Sequence, residues 1–200
     1  MYRQGVDMAR AGLTTDRVVT AAADLADSIG FGEVTISALA RGFGVKDASL
    51  YSHVKNLADL RTRVALRAAE EFIDRIEAAV AGRAGQDALT AFADAYRTFA
   101  LDHPGRYAAT QYRVAPEIVA ASPAYHRTLR TTSAMLRAYG LTDPALTDAV
   151  RLLRSTFHGF AILEAEGGFE APRPVQTSWE RAVEGLHFLL THWAEATLGE

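Results

Sequence analysis

Apolar residues recur along this chain at three- and four-residue intervals almost without a break, the spacing that places them on one face of a helix. Thr14 or Thr15 opens the first run as an N-cap, Val18, Ala22, Leu25, Ala26 and Ile29 form its buried stripe, and Gly30 ends it. Thr35 caps a second run, Ile36, Leu39, Ala40 and Phe43, which Gly44 breaks. Val45 fills the corner, and Leu50, Tyr51 and Val54 resume the period. Residues 35–55, TISALARGFGVKDASLYSHVK, thus predict two short helices crossing over a tight turn. Ala40 is the small residue at the crossing, and Gly44 the one that tolerates positive φ. The second helix is expected over Asp47 to His53, with Leu50 inward and Ala48, Ser49, Ser52 and His53 outward. Such a face of small, hydroxyl and imidazole groups suits a DNA major groove, while an ordinary helical hairpin inside an all-α core would satisfy the same offsets.

Downstream, Leu57 opens a long fourth helix to about Val80, with Leu60, Val64, Ala68, Phe72, Ile76 and Ala79 along one stripe. A fifth is expected from Asp87 to Leu101, stopped by His103-Pro104-Gly105. Arg106 to Ala115 carries Tyr107 and Tyr112 before Pro116 interrupts it, and Ser122-Pro123 starts a helix to Tyr139. Thr142-Asp143-Pro144 starts the next, ended by Gly167-Gly168. FEAPRPVQTS reads as a loop, and Trp179 to Thr197 as the final helix. The fold class is therefore all-α. Three segments follow: residues 1–13 as an arm that is either disordered or laid on DNA, 14–60 as the helix-turn-helix domain, and 61–200 as a larger helical body.

Composition narrows the chemistry. With no cysteine, disulfides, thiol catalysis and thiolate metal sites are excluded. No apolar run approaches a membrane span and the first residues lack a signal-peptide core, so a cytoplasmic protein with no membrane partner is expected. The net charge of −3 hides an asymmetry: residues 1–67 carry +2 and the remainder −5. A basic excess this small predicts modest affinity from one head and reliance on two.

The run G-F-G-x-V-T, A-L-A-x-x-F-G-V and S-L-Y-S-H-V-K-N resembles the DNA-binding domain of the tetracycline-repressor (TetR/AcrR) family of bacterial regulators, over about residues 14–67. The resemblance implies an all-α homodimer with an N-terminal reading head for double-stranded DNA and a C-terminal ligand domain. It assigns Thr35, Tyr51 and Lys55 to phosphate contacts and places Lys46, Ser49, Ser52 and His53 in or beside the major groove. Many members carry Ser-Pro where Lys46-Asp47 stand, and a lysine where this chain has Leu57. A carboxylate at Asp47 close to phosphate is expected to cost affinity. With no outward Arg, Asn or Gln on the second helix, weak direct base readout is expected from it.

The last two helices are apolar over a wide arc, which predicts burial against the body on one side and against a second copy on the other. Phe157-His158-Gly159 resembles the Trp-His-Gly signature of one C-terminal subgroup of the family, with Phe157 in the tryptophan's place. Gly159, unfavourable inside a helix, suggests either close helix approach or room for a ligand. The candidate ligand-binding residues for a small apolar molecule are Phe72, Phe92, Tyr96, Phe99, Tyr112, Tyr139, Phe157 and His158, although aromatics at helical spacing also serve as plain core. Arg113 and Glu164 are further polar candidates. No cofactor, metal or catalytic residue is expected: metal spacing, phosphate loops and nucleophile elbows are missing, and Glu164 is not cofacial with His158. A ligand-responsive DNA-binding regulator, most simply a repressor, is the function these features favour. A helical dimer without specific DNA binding and an enzyme on a helical scaffold are the alternatives.

Overall fold

The computed structural model describes residues 12–193, and every regular element among them is helical. By compactness the chain divides into two units, residues 1–71 with 103–122, and residues 72–102 with 123–200. Residues 1–11, most of the expected arm, lie outside the described residues, whereas Leu13 packs against the core of the first unit.

In the first unit, helix α1 (Thr15–Ile29) starts where the Thr14 hydroxyl accepts the Arg17 N–H, and stops at Gly30, whose φ of 92° few other residues adopt. A single 3₁₀ turn (Phe31–Glu33) leads to α2 (Ile36–Phe43), capped by the Thr35 hydroxyl on the Ala38 N–H at 3.1 Å. Gly44 takes the left-handed conformation, φ 67°, and reverses the chain into α3 (Asp47–Leu50). Helix α3 is shorter than the pattern predicted. Residues 51–53 form turns in which the Leu50 carbonyl accepts both the His53 and the Val54 N–H. Helix α4 (Leu57–Val80) begins with Asn56 accepting the Asp59 N–H while Asp59 accepts the Lys55 N–H, each at 2.9 Å.

These elements close on Val18, Ala22, Ala26, Leu39, Ala40, Leu50, Val54, Leu60, Val64 and Ala68, all buried. Leu50, wholly inaccessible, contributes about 2 kcal/mol by that burial alone. Ile29, expected in this stripe, is instead 46 % exposed at the last residue of α1.

The Pro104-Gly105 pair, expected only to stop a helix, also starts one. Helix α6 (Pro104–Thr110) follows α5 (Gly85–Asp102) after a single residue, with Pro104 in its first turn. Helix α6 lies on α1 so closely that a Cβ on Gly105 would sit 2.0 Å from the Ala26 carbonyl carbon and oxygen. Arg106 fastens the contact. Its backbone N–H donates to Asp27 at 2.7 Å, its guanidinium donates to Asp24 and Asp27, and its Nε lies 2.8 Å from a Glu71 oxygen. Residues 103–122 fall in the first compact unit, which runs along α4 as far as Glu71.

The second unit takes α4 from Phe72 onward, α5, α8 (Pro123–Arg137), α9 (Ala145–Ala165) and α10 (Val175–Thr191). The short α7 (Pro116–Ala120), which the pattern missed, belongs with the first. Helix α10 starts four residues before the expected Trp179, since Pro174 offers its carbonyl to the Thr177 and Ser178 N–H groups.

Two carboxylates make the fold acid-sensitive. Hydrogen bonds from Arg127 hold the Glu77 carboxyl below its ordinary value against the opposing effect of burial, with Thr131 adding to the shift. At Asp59 burial pushes upward, but the Lys55 N–H and Arg63 outweigh it and hold the group low. A folded-state pKa below the unfolded one gives stability that is present above the unfolded value and lost as pH falls through the folded one. Melting temperature is therefore expected to fall as pH drops below the ordinary carboxylate values of 4.5 for Glu77 and 3.8 for Asp59. The Glu77→Gln variant should show a shallower fall by circular dichroism.

Candidate nucleic-acid interface and aromatic body

Helix α3 is anchored by one side chain and presents the rest. Leu50 is buried, while Lys46, Asp47, Ala48, Ser49, Tyr51 and Ser52 are exposed, Tyr51 to 54 %. His53, expected outward, is half-buried because the chain has already left the helix, and its carbonyl accepts the Thr15 hydroxyl at 3.3 Å. Ser52 donates to the Ser49 carbonyl at 2.8 Å. Thr35 is exposed but already committed as the α2 cap, and Lys55 is exposed beside Asp59. The seven sequence-predicted DNA residues thus gather around α2 and α3, with His53 the least accessible.

Three features of this head were not foreseen. Arg41, in the last turn of α2, is exposed and, like Lys46, makes no ion pair with a described residue. Ser37 donates its hydroxyl to the Asp47 carboxylate, tying α2 to α3 across the turn. Arg61 donates to the Gly32 carbonyl at 2.8 Å and lies over the Phe31 ring, fixing α4 against the 3₁₀ turn. Contacts between polar groups ten or twenty-nine positions apart leave no periodicity by which the sequence could announce them.

The predicted ligand set separates. Phe72, Phe92, Tyr96, Phe99 and Phe157 do converge in the second unit: Phe72 meets Tyr96 and Phe99 at 5.0 and 5.2 Å, and Phe157 meets Tyr96 and Trp179 at 5.6 Å. Four of them, Phe92, Tyr96, Phe99 and Phe157, are buried. Tyr112 is not with them; it packs edge-on against Phe31 in the first unit, 5.6 Å away, because α6 carries it there. Tyr139 lies at the α8 end, its hydroxyl 3.0 Å from His187 Nδ1, and burial raises its pKa. His158 is half-buried on α9.

At one end of the cluster Arg97 donates twice to Glu164, at 2.6 and 2.5 Å, and lies over the Phe160 and Trp179 rings. Glu164 is therefore already engaged. Gly159 has no atom within 4 Å of where its Cβ would stand, so close approach of another described helix does not account for it. Trp179 donates its indole N–H to Asp94 at 2.7 Å, beside a polar cleft of about 260 Å³ lined by Arg83, Gln86, Asp87, Thr90, Ala91 and Asp94. Among the described residues no group of three or more acidic or histidine side chains is placed to hold a metal, and no helix is long and apolar enough to cross a membrane.

A reading head of this form joined to an all-helical body defines a helix-turn-helix transcriptional regulator, and comparison with known proteins agrees. Residues 89–186 match the family model of the tetracyclin repressor-like C-terminal domain. An uncharacterized HTH-type transcriptional regulator of Mycobacterium tuberculosis is 36 % identical over 158 residues, covering 78 % of this chain and 72 % of that one. The uncharacterized regulator YobS of Bacillus subtilis is 32 % identical over 169 residues, covering 84 % and 88 %. Among solved structures, apo ActR of Streptomyces coelicolor superposes with a TM-score of 0.70 at 20 % identity, covering 93 % of this chain and 98 % of that one. BioQ with its double-stranded DNA operator superposes at 0.61 and 21 % identity, covering 88 % and 99 %. The chain belongs to the TetR family of helix-turn-helix transcriptional regulators.

Proposed function

We propose that this protein is a ligand-responsive repressor, a cytoplasmic homodimer that holds a palindromic operator until a small apolar effector releases it, and that it acts by binding alone, without catalysis. The observation that carries the reading is the head itself: α3 is pinned by the buried Leu50 and turns Ser49, Tyr51 and Ser52 outward, with the exposed Arg41 and Lys46, which make no ion pair with a described residue, nearby. Hydroxyls and cations of this kind bind phosphate and fix register, with Thr35, Tyr51 and Lys55 on the backbone and Lys46, Ser49, Ser52 and His53 at the groove.

Relatives of the same fold support both halves of the reading. BioQ is known with its double-stranded DNA operator and ActR with actinorhodin. In this chain the effector takes the aromatic cluster of the second unit around Phe72, Phe92, Tyr96, Phe99 and Phe157. Phe72 stands on α4, whose earlier turns form part of the first unit, so one helix serves both. An effector that binds one state of that helix better than the other lowers operator affinity by that difference. The partner copy covers α9 and α10, where Leu163 and Phe188 are 47 % and 65 % exposed.

Selection from random duplexes tests this. An inverted repeat with half-site centres about 34–36 Å apart, one DNA turn, is the expected outcome. Absence of any salt-sensitive sequence preference would refute the reading.

A further inference from the structure

Asp47 opens α3, where a carboxylate facing DNA phosphates would weaken binding to every duplex alike. The structure gives that group a second aspect. Its carboxylate is exposed, and Oδ2 accepts the hydroxyl of Ser37, two residues into α2. The bond bridges the turn and holds the carboxylate in one orientation relative to both helices. Asp47 makes no other hydrogen bond with a described residue, so Oδ1 remains available. The outward residues that follow, Ala48 and Ser49, are too short to screen it.

An ionised carboxylate is an acceptor only. The serine hydroxyls nearby both donate and accept, so they tolerate several bases, whereas a carboxylate does not. In the major groove, guanine offers N7 and O6 and thymine O4, all acceptors that repel it. Adenine pairs its amino donor with the acceptor N7, which opposes the second carboxylate oxygen. Cytosine alone offers the N4 amino donor without an acceptor on the same base edge. We infer that Asp47 is a base-reading residue that selects cytosine at one position in each half-site, and that Ser37 is a positioning residue that aims it. The inference rests on the reading of α3 as the groove-facing helix. The electrostatic cost and the selectivity then have one origin: the carboxylate lowers affinity for all sequences and recovers it where cytosine stands.

The test is the same random-duplex selection, run with the wild type, Asp47→Asn and Ser37→Ala, after circular dichroism has established that each variant keeps its helices and melting transition. The wild type is expected to show one cytosine position per half-site. Asp47→Asn, which keeps the shape but adds an amide donor, is expected to lose about tenfold of the preference for cytosine there and to gain adenine, which asparagine recognises bidentately. Ser37→Ala is expected to weaken preference at that position and at no other. If Asp47→Asn binds all duplexes more tightly with unchanged base preferences, Asp47 is a phosphate repeller only; the inference falls while the proposed function stands. If either variant loses preference at all positions together, the pair is a brace for the turn, and the inference again falls. A wild type that selects no sequence overturns both.

Discussion

Gly105→Ala is expected to disrupt the first unit, although it adds a single methyl group. The new Cβ would stand 2.0 Å from two backbone atoms of Ala26 and 2.4 Å from the Asp27 nitrogen. Backbone cannot turn aside as a side chain can, so α6 would have to lift from α1. Lifting it would also draw Arg106 away from Asp24 and Asp27 and Glu71, leaving an arginine with only 12 % of its side chain exposed short of partners. Overpacking alone costs about 1–3 kcal/mol, and stranding a partly buried charge adds to it, so a loss of about 3 kcal/mol or more is expected. Chemical denaturation followed by circular dichroism reads it. Gly42→Ala is the control: Gly42 lies inside α2 with nothing within 4 Å of its Cβ position, and alanine there should gain about 0.5–1 kcal/mol. Similar losses in both variants would show that α6 does not depend on this contact.

The second large effect belongs to Phe157→Ala. Phe157 is fully buried on α9 and meets Phe92 and Tyr96 of α5 and Trp179 of α10. Removing its ring takes the shared contact from three helices at once, and a cavity among rigid aromatics collapses poorly. Truncating a buried phenylalanine costs about 3–5 kcal/mol, which is the expected fall in unfolding free energy. A change below about 1 kcal/mol would mean that the cluster is loosely packed and that Phe157 is not its centre.

Much of this fold was legible because amphipathic helices announce themselves through period and caps. Thr14, Gly30, Thr35 and Gly44 each take the role that their position in the pattern predicted. What the pattern could not convey was which helix meets which. Tyr112 has the same local signal as Tyr96, yet Gly105 seats its segment on α1 and carries it to Phe31. Glu164 looked like a free polar group until Arg97, sixty-seven residues away, was found holding it. Helix ends were the other weakness. Turns replace the expected last residues of α3, and Pro174 extends α10 backward, because a terminus is decided by single hydrogen bonds instead of by a repeating stripe. The proposed DNA-facing residues were named through the family resemblance around Gly44 and Leu50, whereas the Ser37–Asp47 bond, ten positions apart, leaves no periodic signal in the sequence.

In the proposed function the head formed by α2 and α3 grips DNA through its hydroxyl and lysine side chains. The direct measurement is fluorescence anisotropy of a selected duplex titrated with wild type, Tyr51→Ala and Lys55→Ala across a range of salt concentrations. Wild-type log K should fall linearly with log salt, with each variant at least about tenfold weaker and the slope for Lys55→Ala reduced by about one for each lysine lost. Affinities and slopes unchanged in both variants would contradict the account.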